Sequence, residues 1–153
     1  MDHKDHRSIG TLIAVGEPHT QAGLVEVFIA ADIPAPKEAR DVAGLREILA
    51  SATLDLIVMS SHLGGDFVAP LISEVRRGKL GPHPFPIVIV LSEDKDPITL
   101  RQISNCGPDD IVVLPSEPED LLARINIFLA GDRRPLVVTP GYAGPERRTK
   151  GRD

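Results

Sequence analysis

The chain has 153 residues, a formal net charge of −5, 42% hydrophobic residues and only 3% aromatic residues. This size and composition fit one globular domain with an aliphatic core, and the shortage of aromatic rings argues against a protein that stacks nucleic-acid bases. The single cysteine, Cys106, excludes an internal disulfide, and the cysteine and histidine residues lack the spacing of a zinc site.

The N-terminal residues 1–8 are polar, and we expect them to be disordered. The apolar run that follows them is too short for a signal peptide or a membrane span. We therefore expect a cytoplasmic protein that does not enter a membrane, with one domain over residues 9–130.

Short apolar runs alternate with amphipathic stretches in the first half of this domain. Residues 11–16 are apolar without alternation, which predicts a strand buried on both faces. Residues 19–31 repeat an apolar side chain every three or four positions, which predicts a helix. A short strand near 38–41, a helix over Leu45, Ile48 and Leu49, and a buried strand at 55–60 are predicted to follow.

The second half continues the pattern. A helix is predicted over Phe67, Leu71, Ile72 and Val75, after a glycine pair that breaks the preceding strand. The remaining predicted elements are a very apolar strand at 87–91, a polar helix at 99–105, a strand at 111–114 and a helix at 118–129.

Five strand–helix pairs predict an α/β fold with a five-stranded parallel sheet, doubly wound, helices on both faces and the strand order 2-1-3-4-5. In such sheets the functional groups gather beyond the carboxyl ends of the strands. Those ends carry Gly16, Glu17, Ser60, Ser92 and Leu114.

Three segments, 55–65, 75–87 and 107–115, resemble the receiver domain of two-component response regulators. The resemblance extends from about Ile9 to Leu129 and implies the flavodoxin-like fold of chemotaxis-regulator-like receivers. It also implies a cis peptide bond between Leu114 and Pro115, since receivers hold such a bond at this place.

An active receiver holds Mg²⁺ with two acids after the first strand and an acceptor aspartate after the third. It contacts the phosphoryl group with a Ser/Thr after the fourth strand and a lysine after the fifth. The resemblance assigns Gly16 and Glu17 to the acid pair, Ser60 to the acceptor, Ser92 to the Ser/Thr and Leu114 to the lysine position. Only Glu17 and Ser92 are compatible, so we expect a degenerate receiver that is not an enzyme and uses no metal or cofactor.

The C-terminal segment 131–153 is basic and contains prolines and glycines that exclude a long helix. Its YxGPERR motif at 142–148 resembles a tail of some stand-alone alphaproteobacterial receivers. We expect this tail to be flexible, and two roles remain open. It is a solubilising end, or it is a docking motif in which Tyr142 anchors and Arg147 and Arg148 meet an acidic partner.

We expect a phosphorylation-independent signalling module, a monomer or weak homodimer, that binds a histidine kinase or another signalling protein as an adaptor, scaffold or decoy. The acidic body of the chain disfavours nucleic acid as a partner. The alternative is a small ligand- or nucleotide-binding domain that uses the pocket at the strand ends, although no glycine-rich phosphate loop follows the first strand. The candidate partner surface is the face of the fourth helix, fifth strand and fifth helix, with Ile98, Arg101, Gln102, Ile111, Val113 and Glu119.

Overall fold

The computed structural model describes residues 9–147; the expected disorder of residues 1–8 and the candidate contact of Arg148 lie outside this range. Within it, none of the helices combines the length and the apolarity that a bilayer-spanning segment requires. The elements in chain order are β1 (Thr11–Ala14), α1 (Pro18–Ala30), β2 (Lys37–Glu38), α2 (Val42–Ser51), β3 (Leu56–Ser60), β4 (His62–Leu63), β5 (Asp66–Phe67), α3 (Pro70–Arg76), β6 (Ile87–Ser92), α4 (Pro97–Ser104), β7 (Asp110–Val113), α5 (Pro118–Leu129), β8 (Leu136–Thr139) and β9 (Tyr142–Pro145).

Five of these strands form one parallel sheet in the order β2-β1-β3-β6-β7, which confirms the predicted fold class and strand order. Successive side chains of a strand point to opposite faces, so the sheet supports two apolar layers. Leu12 and Ile57 belong to one layer, and Ile13 and Val58 belong to the other. Burial on both faces explains why β1 and β6 are apolar without alternation.

The segment after β3 differs from the prediction of a helix that includes Phe67. Gly64 and Gly65 both have positive φ, +57° and +89°, and they make the two-residue turn between β4 and β5. Glycine adopts such angles without steric cost, and a two-residue hairpin turn requires them. Phe67 therefore lies in β5, and α3 begins only at Pro70.

The largest difference concerns the C-terminal segment, which we expected to be flexible. Its described part forms the antiparallel hairpin β8–β9, which packs against α3 and the loop before β7. Ala143, Gly144 and Pro145 are buried. A Cβ atom added to Gly144 would lie 2.7 Å from Gly107 Cα, so two glycines permit the close approach of the two backbones.

A buried ion network attaches this hairpin to the domain. The carboxylate of Asp109 accepts hydrogen bonds from Arg76 Nη2 at 3.0 Å and from Arg133 Nε at 2.7 Å. The three side chains are 1%, 0% and 18% exposed, respectively. Burial lowers the pKa of Arg76, and the charge of Asp109 counteracts that effect. We call these residues the Arg76–Asp109–Arg133 network.

Backbone carbonyl groups complete the network, which holds two positive charges and one negative charge. Arg76 donates to Gly107 O at 2.9 Å and to Pro86 O at 2.7 Å. Arg133 donates to Phe85 O at 3.0 Å and to Pro86 O at 2.9 Å. These bonds satisfy guanidinium groups that burial removes from water. They explain why the segment after α5 is ordered.

Candidate functional site

The carboxyl ends of β1, β3 and β6 and the residue that follows β7 surround a cavity of about 730 Å³. Four of the five predicted positions, Gly16, Glu17, Ser60 and Leu114, line this cavity. The fifth, Ser92, lies at the end of β6 and is fully buried. The other polar side chains of the cavity wall are Thr20, Arg40, Ser61, His62, Glu93 and Asp94.

Gln21 closes the end of β1, a role that the sequence analysis missed. Its side chain is 1% exposed, and Oε1 accepts from the backbone N–H of Val15 at 2.9 Å and of Gly16 at 3.3 Å. Its Nε2 donates to Glu38 Oε1 at 3.1 Å. A glutamine three positions before Leu24, on the buried stripe of α1, was the available signal. A polar residue at a buried position indicates a hydrogen-bond partner in the interior, but the sequence does not identify that partner.

Glu17 is the N-cap of α1. One carboxylate oxygen accepts from Thr20 Oγ1 at 2.6 Å and Thr20 N at 2.7 Å, and the other accepts from His19 N at 3.2 Å. These hydrogen bonds, the one from the Thr20 hydroxyl above all, lower the pKa of Glu17. The carboxylate is therefore ionised at neutral pH and engaged in capping the helix.

The two serines at the strand ends use their hydroxyl groups locally. Ser60 Oγ donates to Val15 O at 3.2 Å, which joins β3 to β1. Ser92 Oγ donates to Asp94 O at 2.8 Å and accepts from Asp94 N at 3.2 Å. Leu114 packs against the apolar layer that contains Phe28 and Val112. The end of β3 therefore carries a hydroxyl group, and the residue after β7 carries an apolar side chain.

No protein-family model matches the sequence, and no curated protein matches it either. Solved structures do match. The receiver domain of the Francisella response regulator 1452 is 18% identical, with a TM-score of 0.71 over 82% of this chain and 100% of that domain. The receiver domain of a signal transduction histidine kinase from Syntrophus aciditrophicus is 19% identical, with a TM-score of 0.71 over 88% and 100%.

The response regulator DrrB of Thermotoga maritima is 18% identical, with a TM-score of 0.67, and the match covers 85% of this chain. It covers 57% of that regulator, so this chain spans little more than half of its length. This chain has the receiver fold. Identities of this size establish the fold alone. The peptide bond between Leu114 and Pro115 is cis, as the resemblance to receivers implied.

The Mg²⁺ ion that active receivers bind does not fit this version of the receiver fold. Mg²⁺ takes six oxygen ligands, and proteins hold it through one or two carboxylates while it keeps several waters. Glu17 is the one acid at the three positions that supply carboxylates in active receivers, and both of its oxygens already accept hydrogen bonds from α1. Within residues 9–147, no group of three histidine, cysteine, aspartate or glutamate side chains could hold a metal ion.

The predicted partner face lies on α4, β7 and α5 of the receiver fold. Ile98 is 62% exposed. The polar residues of the same predicted face, Arg101, Gln102 and Glu119, are exposed as well. Ile111 and Val113 are half-buried, and Ile111 also packs against a core layer. Ile98 is therefore the most exposed apolar side chain of the predicted face, and Ile111 and Val113 contribute partly exposed ones.

The structure brings this face and the C-terminal motif together. One cavity of about 710 Å³ near the N-terminal end of β7 is lined by Ile111 of the face and by Tyr142 and Arg147 of the motif. The guanidinium of Arg147 lies 4.4 Å from the centre of the Tyr142 ring and also bonds Asn105 just after α4. Tyr142 donates its hydroxyl to Pro145 O at 2.7 Å. Two surfaces that the sequence analysis treated separately thus adjoin.

Proposed function

We propose that this chain is a receiver-fold signalling module of a two-component pathway, not an enzyme, that acts by binding a protein partner without phosphorylation of an aspartate. The observation that carries the proposal is the residue at the position where active receivers have the phosphate-accepting aspartate. Ser60 occupies it, and its hydroxyl donates to a backbone carbonyl of the neighbouring strand. A serine hydroxyl does not form the acyl phosphate of an active receiver, and it needs a base for activation.

The neighbouring positions support the same conclusion. Phosphoryl transfer depends on positive charge that neutralises the developing negative charge of the phosphoryl group. Leu114 supplies none, because its side chain is apolar; it lines the cavity and packs against the core. The exposed acids Glu93 and Asp94 line the same cavity and repel an incoming phosphate. Three separate features therefore oppose aspartyl phosphorylation.

The first prediction is that the purified chain is not phosphorylated at the cavity formed by the carboxyl ends of the strands. The chain is incubated with Mg²⁺ and acetyl phosphate or a histidine kinase, and intact mass and hydroxylamine sensitivity are measured. The Ser60→Asp variant is also expected to stay unlabelled, because Gly16 and Leu114 still provide neither metal ligand nor cation. An active receiver domain is the positive control. A hydroxylamine-sensitive adduct on the wild-type chain would contradict the proposal.

The exposed face supports protein binding as the mode of action. An aliphatic side chain at 62% exposure, with Arg101, Gln102 and Glu119 around the same face, has the composition of a modest interface with an apolar centre and a polar rim. Ile98 is the most exposed apolar side chain of this face. Without a ligand that binds two conformations differently, this face is expected to keep one shape.

The second prediction concerns this face. A partner is isolated by affinity capture, purified and titrated against the chain, and Ile98→Asp is expected to weaken binding about tenfold or more, as loss of a central apolar contact does. Ile29→Asp is the matched control, because Ile29 on α1 is 57% exposed and lies on another face. Equal affinities of wild type and Ile98→Asp would assign the partner to a different surface.

The second candidate function is binding of a small ligand in the cavity at the strand ends. Its volume of about 730 Å³ lies in the range of ligand pockets, which is about 300–1,000 Å³. The acids Glu17, Glu93 and Asp94 in its wall disfavour nucleotides and other anions. Calorimetric titration with nucleotides separates the two functions, since binding at micromolar concentration would favour the ligand site.

A further inference from the structure

The strand β8 has one free edge. On one side it pairs with β9, and no other strand of residues 9–147 pairs with this two-stranded sheet. The far side of β9 is covered, because Ala143 and Gly144 lie against Gly107 of the domain. The side of β8 that faces away from β9 is therefore the exposed one, and Val138 is 56% exposed.

The hydrogen bonds of the hairpin define which backbone groups point outward. The Glu146 N–H donates to Pro135 O at 2.7 Å, so these two residues form a hydrogen-bonded pair. Such pairs alternate along an antiparallel ladder, so Val137 and Gly144 form the next one. It follows that Leu136 and Val138 direct their N–H and C=O groups away from β9.

Natural proteins protect an exposed edge with a very short strand, charged side chains, proline within the strand or a bulge. Of these devices, β8 has only its short length of four residues. The sequence Leu-Val-Val-Thr has none of these charges or prolines. Among residues 9–147, the nearby basic groups leave the outward N–H and C=O groups of Leu136 and Val138 free of side-chain bonds: Arg77 donates to Thr139 O, at the end of β8, at 3.0 Å, and Arg134 donates to Glu146 O at 3.1 Å.

We infer that β8 of two copies of this chain pair antiparallel about a twofold axis through Val137. In this register Leu136 of one copy faces Val138 of the other, and symmetry repeats the pair, which gives four backbone hydrogen bonds. Pro140 and the short length of β8 select this register. A shift by two residues would pair Leu136 with Pro140, which has no N–H, or Val138 with Arg134 beyond the strand.

Self-complementarity is the reason for choosing a second copy as the occupant. Each edge offers two donors and two acceptors at the same spacing, and Leu136 and Val138 supply the same apolar chemistry to both sides. The pairing closes on itself, so it stops at a dimer. The Arg76–Asp109–Arg133 network fixes the hairpin before association. The interface is small, and contacts below about 1,200 Å² are weak, so we expect dimers only at high protein concentration.

Sedimentation velocity of the full chain over a concentration series tests the inference. The average mass is expected to rise from the 16.5 kDa monomer toward the dimer as the protein reaches about millimolar concentration. Val138→Lys should weaken association about tenfold or more, because lysine blocks strand edges. The matched control is Ile127→Lys, since Ile127 on α5 is 51% exposed and should leave the dimer intact.

Cross-linking tests the register. Residues that face each other in a non-hydrogen-bonded pair have Cα atoms about 4.5 Å apart, which suits a disulfide. In a Cys106→Ser background, Val137→Cys is expected to form a disulfide dimer on mild oxidation. Val138→Cys is not expected to do so, because residue 138 faces residue 136 of the other copy and the two cysteines would be separated by two positions along the strands. A chain that stays monomeric throughout, a dimer that Ile127→Lys abolishes, or preferential cross-linking at 138 would overturn the inference.

Discussion

Replacement of Asp109 by alanine is expected to lower the free energy of unfolding by about 3–5 kcal/mol, the range for breaking a buried ion pair. The carboxylate accepts hydrogen bonds from two arginines and from Val88 N at 2.8 Å, and its side chain is 1% exposed. Its removal leaves the Arg76 guanidinium, which is 0% exposed, without its counter-charge. Urea denaturation followed by circular dichroism measures the loss.

The neighbouring Asp110 provides the control. It pairs with Arg124, and these side chains are 25% and 45% exposed, so solvent screens the interaction. Asp110→Ala is expected to cost at most about 1 kcal/mol, as exposed ion pairs do. Equal effects of the two substitutions would mean that the Arg76–Asp109–Arg133 network does not hold the domain and hairpin together.

Gly107→Ala is the second substitution with a large expected effect, about 2–5 kcal/mol from overpacking and a left-handed backbone together. Gly107 has φ +97°, and a Cβ atom at this position would lie 2.2 Å from Ala143 O. The new methyl group therefore strains the backbone and displaces β9. Gly78→Ala is the control, because Gly78 has φ +73° but no atom within 4 Å of the added Cβ. Gly78→Ala should lower the free energy of unfolding only by the cost of a left-handed backbone, about 1–2 kcal/mol.

A double-mutant cycle separates the two components of the Gly107→Ala effect. In a chain that ends at residue 134, Ala143 is absent, so the largest steric component disappears and only Arg76 Cγ, 3.3 Å from the added Cβ, remains close. The cost of Gly107→Ala should then fall toward that of Gly78→Ala. An undiminished cost in the shortened chain would show that the hairpin does not press on Gly107.

The sheet was predictable because its signal is local. The run Ile87–Leu91 is apolar at every position, which only a strand buried on both faces tolerates. The last helix was predicted at the observed residues 118–129, because Pro118 suits a first helical turn and the apolar stripe after it has helical spacing. Strand order then followed from the handedness of crossover connections.

The C-terminal hairpin was not predictable, because its stabilising contacts join residues far apart in the sequence. In the sequence, Asp109 is an acidic residue next to a glycine–proline pair, as in many turns, and Arg133 is one of several basic residues in the C-terminal segment. Nothing in the sequence pairs them across 24 positions. Arg76 lies beside a second arginine, Arg77, and only the fold reveals that the first is buried and the second caps the hairpin turn.

The candidate site was predictable as a set of positions but not as a set of contacts. The resemblance to receivers located Gly16, Ser60 and Leu114 at one edge, and four of the five positions line the same cavity. It did not reveal that Glu17 caps α1 or that Gln21 occupies the amides at the end of β1. Local hydrogen bonds of this kind depend on side-chain direction, which spacing alone does not determine.

The geometry of Gly16 determines what it costs to place an acidic side chain at the end of β1. Its φ is +86°, and a Cβ atom there would lie 3.2 Å from the Leu63 side chain. An aspartate at this position would carry the cost of a left-handed backbone, about 1–2 kcal/mol, and the end of the Leu63 side chain would have to shift by a few tenths of an ångström. A smaller residue at position 63 would relieve this contact. Positions 16 and 63 are therefore expected to be energetically coupled, so that the effect of an acid at position 16 depends on the residue at position 63.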